Sequence, residues 1–191
     1  VFDGSSWITI TSNDLGISVG YINDFAFDNS GNVWIGTDFN GLIKYKGAVL
    51  ATYNMSNCDI SSNEVKAIYI DQQGKLLLGL GYGEGSPFEG QYIGGFQIYD
   101  GMNWILYNSS NSVIPCDNIN AVSKSKDGSI WLAASDKWGN GLGGLLKFDG
   151  TNFQLYTMAN SGVPSNYIWD VVADINSGIW IATSAGVASY R

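Results

Sequence analysis

Ile22-Asn-Asp-Phe-Ala-Phe-Asp28, followed by Gly31-Asn-Val-Trp34-Ile-Gly-Thr37, reads as a short apolar strand, a turn of Asp and Gly, and a second strand carrying Trp. Gly41-Leu-Ile-Lys-Tyr45 and Ala48 to Tyr53 add a third and a fourth strand, each with an aromatic. β-branched and aromatic residues bounded by Gly, Asn and Asp favour strands joined by tight turns. The same order returns three times. First and second strands recur as Val65 to Asp71 with Gly74-Lys-Leu-Leu77-Leu, Ile119 to Ser125 with Asp127-Gly-Ser-Ile-Trp131-Leu, and Ile168 to Asp174 with Gly178-Ile-Trp180-Ile-Ala-Thr183. Third strands recur as Gly95-Phe-Gln-Ile-Tyr99, Gly144-Leu-Leu-Lys-Phe148 and Gly186-Val-Ala-Ser-Tyr190, and fourth strands as Asn103 to Tyr107 and Asn152 to Tyr156.

The last repeat has no fourth strand after it, but Val1-Phe-Asp-Gly-Ser-Ser-Trp-Ile-Thr-Ile10 aligns with Lys147-Phe-Asp-Gly-Thr-Asn-Phe-Gln-Leu-Tyr156. A repeat of this length with four strands is the sequence form of a propeller blade, and an outer strand displaced to the other terminus is how such rings close. The expectation is therefore an all-β β-propeller of four blades of four antiparallel strands, closed by the N-terminal strand joining the C-terminal blade. It is one domain, 1–191, with blades at approximately 21–54, 64–108, 118–157, and 167–191 plus 1–11.

Composition agrees and narrows the function. Gly numbers 25 and charged residues are only 14%, a balance that suits short strands and turns over charged amphipathic helices. Nine basic against seventeen acidic residues give a formal charge of -8, so the surface field repels phosphate backbones, and nucleic acid and anionic membrane are not expected partners. No apolar run approaches the ~20 residues of a bilayer span, so no direct membrane insertion is expected. With neither a signal-like n-region nor an initiator Met, the chain reads as a processed or excised piece. Abundant Asn and scarce Lys point to an extracellular or periplasmic location. Cys58 and Cys116 occupy non-equivalent positions of two inter-repeat loops and need not face one another. Asn54-Met-Ser56 and Asn108-Ser-Ser110 match the glycosylation sequon, which matters only in a eukaryotic secretory pathway.

Gly31-Asn-Val-Trp-Ile-Gly-Thr-Asp-Phe-Asn-Gly-Leu42 resembles the two-component regulator propeller repeat, with its Gly-Asn, Trp-Ile-Gly-Thr and Gly-Leu elements. The second repeat departs from it, with Leu77 for Trp and Gly79-Leu80 for Gly-Thr. The resemblance implies a bacterial blade of the kind used in extracytoplasmic sensors of hybrid histidine kinases, often for oligosaccharides, and in secreted proteins.

Residues that recur in every repeat are expected to serve the fold. Trp34, Trp131 and Trp180, and Tyr45, Tyr99, Phe148 and Tyr190, are expected to pack between blades. Asp28, Asp71 and Asp174 each offer one carboxylate beside a Gly turn, which suits capping of that turn better than a calcium site. Neither metal nor cofactor is expected.

Residues that break the repeat are the functional candidates, because loop insertions cost the core little. Between second and third strands the second repeat inserts Gly81-Tyr-Gly-Glu-Gly-Ser-Pro-Phe-Glu-Gly-Gln-Tyr-Ile93, and the third Ser135-Asp-Lys-Trp-Gly-Asn-Gly-Leu142. Antiparallel order puts both on the face of the blade-to-blade loops. The candidate ligand-binding set is Tyr82, Glu84, Phe88, Glu89, Tyr92, Asp136, Lys137, Trp138 and Asn140: aromatic faces for stacking a sugar ring, carboxylates and amides for its hydroxyls. The chain contains no histidine, which removes the commonest general base and metal ligand, so no enzymatic activity is expected. The readings that remain are an extracytoplasmic ligand-binding or sensing module, with an oligosaccharide as partner; a structural platform presenting its loop face to a protein, as monomer or homodimer; and a hydrolase or lyase using Glu84 or Glu89 with Asp136.

Overall fold

The computed structural model describes residues 4–18, 20–82, 93–136 and 141–190. It contains four antiparallel sheets and one helical turn, α1 (Ser12–Leu15). Blade 1 runs β1 (Ile22–Phe27), β2 (Val33–Thr37), β3 (Leu42–Tyr45), β4 (Val49–Tyr53). Blade 2 runs β5 (Val65–Ile70), β6 (Leu76–Leu80), β7 (Gly95–Tyr99), β8 (Trp104–Tyr107). Blade 3 runs β9 (Ile119–Lys124), β10 (Ile130–Ser135), β11 (Gly143–Phe148), β12 (Phe153–Tyr156), and blade 4 runs β13 (Ile168–Ala173), β14 (Ile179–Thr183), β15 (Gly186–Tyr190). Every sheet is a meander in chain order. This is the expected β-propeller. The last sheet has three strands among the described residues, and in the stretch 4–11 only Trp7 takes part in a bridge. No helix among the described residues is long and apolar enough to cross a membrane.

The first strands pack in sequence, β1 on β5, β5 on β9 and β9 on β13, so they form the inner wall and the sheets fan outward. The core sits between the sheets. Trp34 and Leu42 meet Val65, Ile68, Leu76 and Leu78 between blades 1 and 2. Leu77 and Phe96 meet Ile119, Ile130, Leu132 and Phe148 between blades 2 and 3. Trp131 and Leu145 meet Ile168, Val171, Ile179 and Ile181 between blades 3 and 4. Each boundary carries an aromatic stack at its outer end: Trp34 on Tyr53 with Tyr99 stacked on Trp104, Tyr107 against Phe148 and Phe153, Trp131 on Tyr156 with Tyr190 beside it.

Repeat position predicts burial wherever a neighbouring blade exists. Trp34 and Trp131 are buried as expected, but Trp180, at the same position on the last blade, is 40% exposed, which corrects its assignment to inter-blade packing. Its face has no covering sheet among the described residues.

The Asp turns are capped by their own side chains. Asp28 accepts the amides of Ser30 and Asn32 on Oδ1, and the Asn32 amide group and the Trp34 indole N–H on Oδ2. Asp174 does the same with Asn176, Gly178 and the Trp180 indole. In blade 3 the indole of Trp131 goes to Ser125 Oγ, and Asp127 completes the turn. In blade 2, where Leu77 leaves no indole, Lys124 Nζ reaches Asp71 Oδ2 at 3.2 Å from the next blade.

These bonds act on the carboxylates. Burial pushes the pKa of Asp28 up, but the donors from Asn32, Trp34 and Ser30 outweigh it and leave it far below the usual range. In Asp71 burial is likewise outweighed, by the Lys75 amide and Lys124. The Ser125 hydroxyl and Ser129 amide, against some burial, bring Asp127 down to about 2. A carboxylate whose pKa is depressed by folding stabilises the fold above its unfolded pKa and loses that contribution as pH falls through the folded value. Asp24 has the opposite sign: burial raises its pKa, so its ionised form costs the fold and acid relieves it. The melting temperature is expected to stay level down to about pH 5 and to fall from about pH 4 toward pH 2, read by circular dichroism. Asp28→Asn should flatten that fall.

Candidate functional site

One face of the propeller is made by the blade-to-blade loops, and these share a single hydrogen-bonded design. Asn57 accepts the Asn54 amide on Oδ1 and donates from Nδ2 to Thr52 O, and Met55 N donates to Asn63 Oδ1. Asn111 and Asp117 repeat this in the next loop, and Asn160 and Asn166 in the one after. Much of the abundant asparagine is thus loop scaffolding rather than a mark of compartment. Asn108, the second sequon residue, is buried and receives the Ser110 amide and hydroxyl.

The described ends of the two inserted loops are bonded to this scaffold. Gly81 N donates to Glu64 O at 3.0 Å, Gly81 O accepts the Ser62 hydroxyl, and Ile93 N donates to Ser61 O at 3.0 Å. Buried Gln97 fixes that loop in turn, accepting the Ser61 amide and donating to Asp59 O. Asp136 N donates to Leu142 O at 3.0 Å, and Asn166 Nδ2 to Gly141 O at 3.1 Å. The described roots of both insertions are therefore tied to the blade-to-blade loops. Their roots touch: Tyr82 Oη donates to Asp136 Oδ1 at 3.3 Å, with Asp136 buried. Of the nine candidate residues these two are joined. Glu84, Phe88, Glu89, Tyr92, Lys137, Trp138 and Asn140 lie outside the described residues.

Two further features are placed by the fold and were not singled out from sequence. Near the axis, Asp24 holds the amides of Phe25 and of Ile68 in the next blade, and the charge of Asp170 adds to burial in raising its pKa. At the opposite mouth, the first hairpins of blades 2, 3 and 4 surround a cleft of about 630 Å³ bordered by Asp71, Gln72, Gln73, Lys124, Lys126 and Asp174. Its residues occupy ordinary turn positions, so only the ring brings them together. Both cysteines are free thiols, and burial pushes Cys116 up to about 11.

Comparison with known proteins bears on the whole chain. Residues 16–39 match the family described as two component regulator propeller. No curated protein matches the chain in sequence. Among solved structures, it is similar to the extracellular domain of a protein assigned to the hybrid two component systems of B. thetaiotaomicron, with 26% identity and a TM-score of 0.69 over 88% of this chain and 21% of that one. It is also similar to PorZ, a surface component of the type-IX secretion system of Porphyromonas gingivalis, with 21% identity and a TM-score of 0.69 over 94% of this chain and 26% of that one. A catalytically inactive His-to-Ala form of virginiamycin B lyase from Staphylococcus aureus shares the fold at 13% identity and a TM-score of 0.58, over 87% of this chain and 54% of that one. The chain thus spans about a fifth to a quarter of the first two. It is a β-propeller that carries, at residues 16–39, a two-component regulator propeller repeat.

Proposed function

We propose that this propeller is an extracytoplasmic sensing or ligand-binding module that takes an oligosaccharide on its inserted-loop face. The observation that carries the reading is the contact between Tyr82 and Asp136, which joins the roots of two insertions the fold does not require. Aromatic residues in these insertions offer apolar faces to sugar C–H groups, while carboxylates and amides meet the hydroxyls. The likeness to the extracellular domain of a hybrid two component system supports the location and the sensing role. We read the recognition as non-covalent, since the chain has no histidine to act as a general base.

The test is thermal shift against an oligosaccharide panel, with the wild-type chain beside Trp138→Ala and Asp136→Asn. A saturating ligand at a hundred times its Kd adds about 2.7 kcal/mol to stability, enough for a rise of several degrees. That rise is expected in the wild type and should be reduced or lost in both variants. A rise that survives both substitutions would place the ligand elsewhere, and no rise with any sugar would leave the loop face to a protein partner.

A further inference from the structure

On the hairpin side, opposite the loop scaffold, blades 2 and 3 depart from the other repeats at two linked positions. Leu77 stands where the other blades have Trp34, Trp131 and Trp180, and Lys124 stands where they have Phe27, Ile70 and Ala173. The first change leaves Asp71 Oδ2 without an indole, and the second brings Lys124 Nζ to it at 3.2 Å. Two residues on, Lys126 is exposed and has no ion pair or hydrogen bond among the described residues. These two ammonium groups border the cleft of about 630 Å³ at the hairpin mouth, together with exposed Gln72 and Gln73. Small-molecule sites span about 300–1,000 Å³, so the cleft is of a size to hold one.

What the cleft offers a ligand follows from which groups are already used. Asp71 accepts the amides of Gln73 and Lys75 on Oδ1 and Lys124 on Oδ2. Asp174 accepts the amides of Asn176 and Gly178 and the Trp180 indole. Both carboxylates are thus committed to their turns. An ammonium group has three hydrogens, of which Lys124 gives one to Asp71, so the cleft presents mainly donors. Elsewhere on this side Asp28, Asp100, Asp127 and Asp149 cap turns in the same way, and Lys44, Lys46, Lys75 and Lys147 balance them. The excess acid of the chain lies on the loop side, where Asp14, Asp38, Asp59, Glu64, Asp117 and Asp136 face one described lysine, Lys66. An anion that the loop side repels therefore meets a balanced field at the hairpin mouth.

We infer that this cleft binds a small hydroxylated carboxylate of the sugar-acid type. Its carboxylate lies against Lys124 and Lys126, and its hydroxyls meet the Gln72 and Gln73 amides, which both donate and accept. The site is on the opposite side from the inserted loops and does not rest on what those loops bind.

Isothermal titration calorimetry of the 191-residue chain with glucuronate, and with glucose as the same ring lacking the carboxylate, tests this. Glucuronate is expected to bind and glucose at least ~10-fold more weakly, with glucuronate affinity falling as salt rises. Lys126→Gln, at an exposed position without bonds, should weaken glucuronate at least ~10-fold, and Lys126→Arg should retain it. Lys124→Met should weaken it likewise, with circular dichroism confirming the fold. Trp138→Ala and Asp136→Asn, on the inserted loops, should leave it unchanged. No heat from glucuronate at about 10 mM would overturn the proposal. Equal binding of glucose would overturn the reading of the carboxylate. Binding indifferent to both lysine substitutions, or lost with the loop variants, would overturn the placement in this cleft.

Discussion

Trp131→Ala is expected to lower the unfolding free energy by about 3–5 kcal/mol, whereas Trp180→Ala, at the same repeat position, should cost only about 1 kcal/mol. Both indoles donate to a capping side chain, Trp131 to Ser125 and Trp180 to Asp174, so that bond does not separate them. Packing does. Trp131 is 2% exposed and stacked on Tyr156 inside the third boundary, and its removal leaves a cavity that rigid sheets on either side cannot close. Urea unfolding of the two variants at low protein concentration measures the difference. If Trp180→Ala proves as costly as Trp131→Ala, and more so as concentration rises, its face is covered in solution by a second chain.

Gly41→Ala should destabilise the fold by at least about 3 kcal/mol, and Gly47→Ala by about 1 kcal/mol. The pair is matched, since both glycines have φ of +73° and a side chain strains each backbone alike. They differ in what a Cβ would meet: at Gly47 there is nothing within 4 Å, and at Gly41 it would run into the Tyr53 carbonyl. Gly41 also sits where blade 1 is tied to its neighbouring loop, its amide donating to Asn63 O and its carbonyl accepting the Thr37 amide and hydroxyl. The backbone cannot withdraw without losing those bonds. Comparing denaturation midpoints of the two variants isolates the collision from the strain. Equal losses would mean that the loop following β4 yields.

The strands were legible because each repeat restates its own local environment. A first strand, an Asp turn, a Trp strand and a Gly before the third strand occur together, and the observed β1, β5, β9 and β13 begin at the residues expected of them, Ile22, Val65, Ile119 and Ile168. α1 was passed over, although Thr11 and Asp14 form a capping box that announces it, because a single turn is a weak signal beside strand alternation. The exposure of Trp180 was not legible either. A repeat unit specifies what a position needs, and whether a neighbour supplies it depends on the three-dimensional count of blades. Of the candidate site, the two residues that the structure describes, Tyr82 and Asp136, come from the two insertions that break the repeat. The Tyr82 to Asp136 bond, by contrast, joins residues 54 apart, and the mixed-charge cleft draws on three hairpins whose shared turn motif serves the fold and does not mark a site.

The three internal boundaries, built from corresponding residues, give the molecule the energetics of a short one-dimensional array. Each blade contributes a folding term of its own, and each junction adds a coupling term of similar composition. Among the described residues, blades 2 and 3 hold two such couplings and blades 1 and 4 one each, so the middle pair sets the floor of cooperativity. In such an array a single midpoint temperature averages over partly opened states rather than reporting one transition.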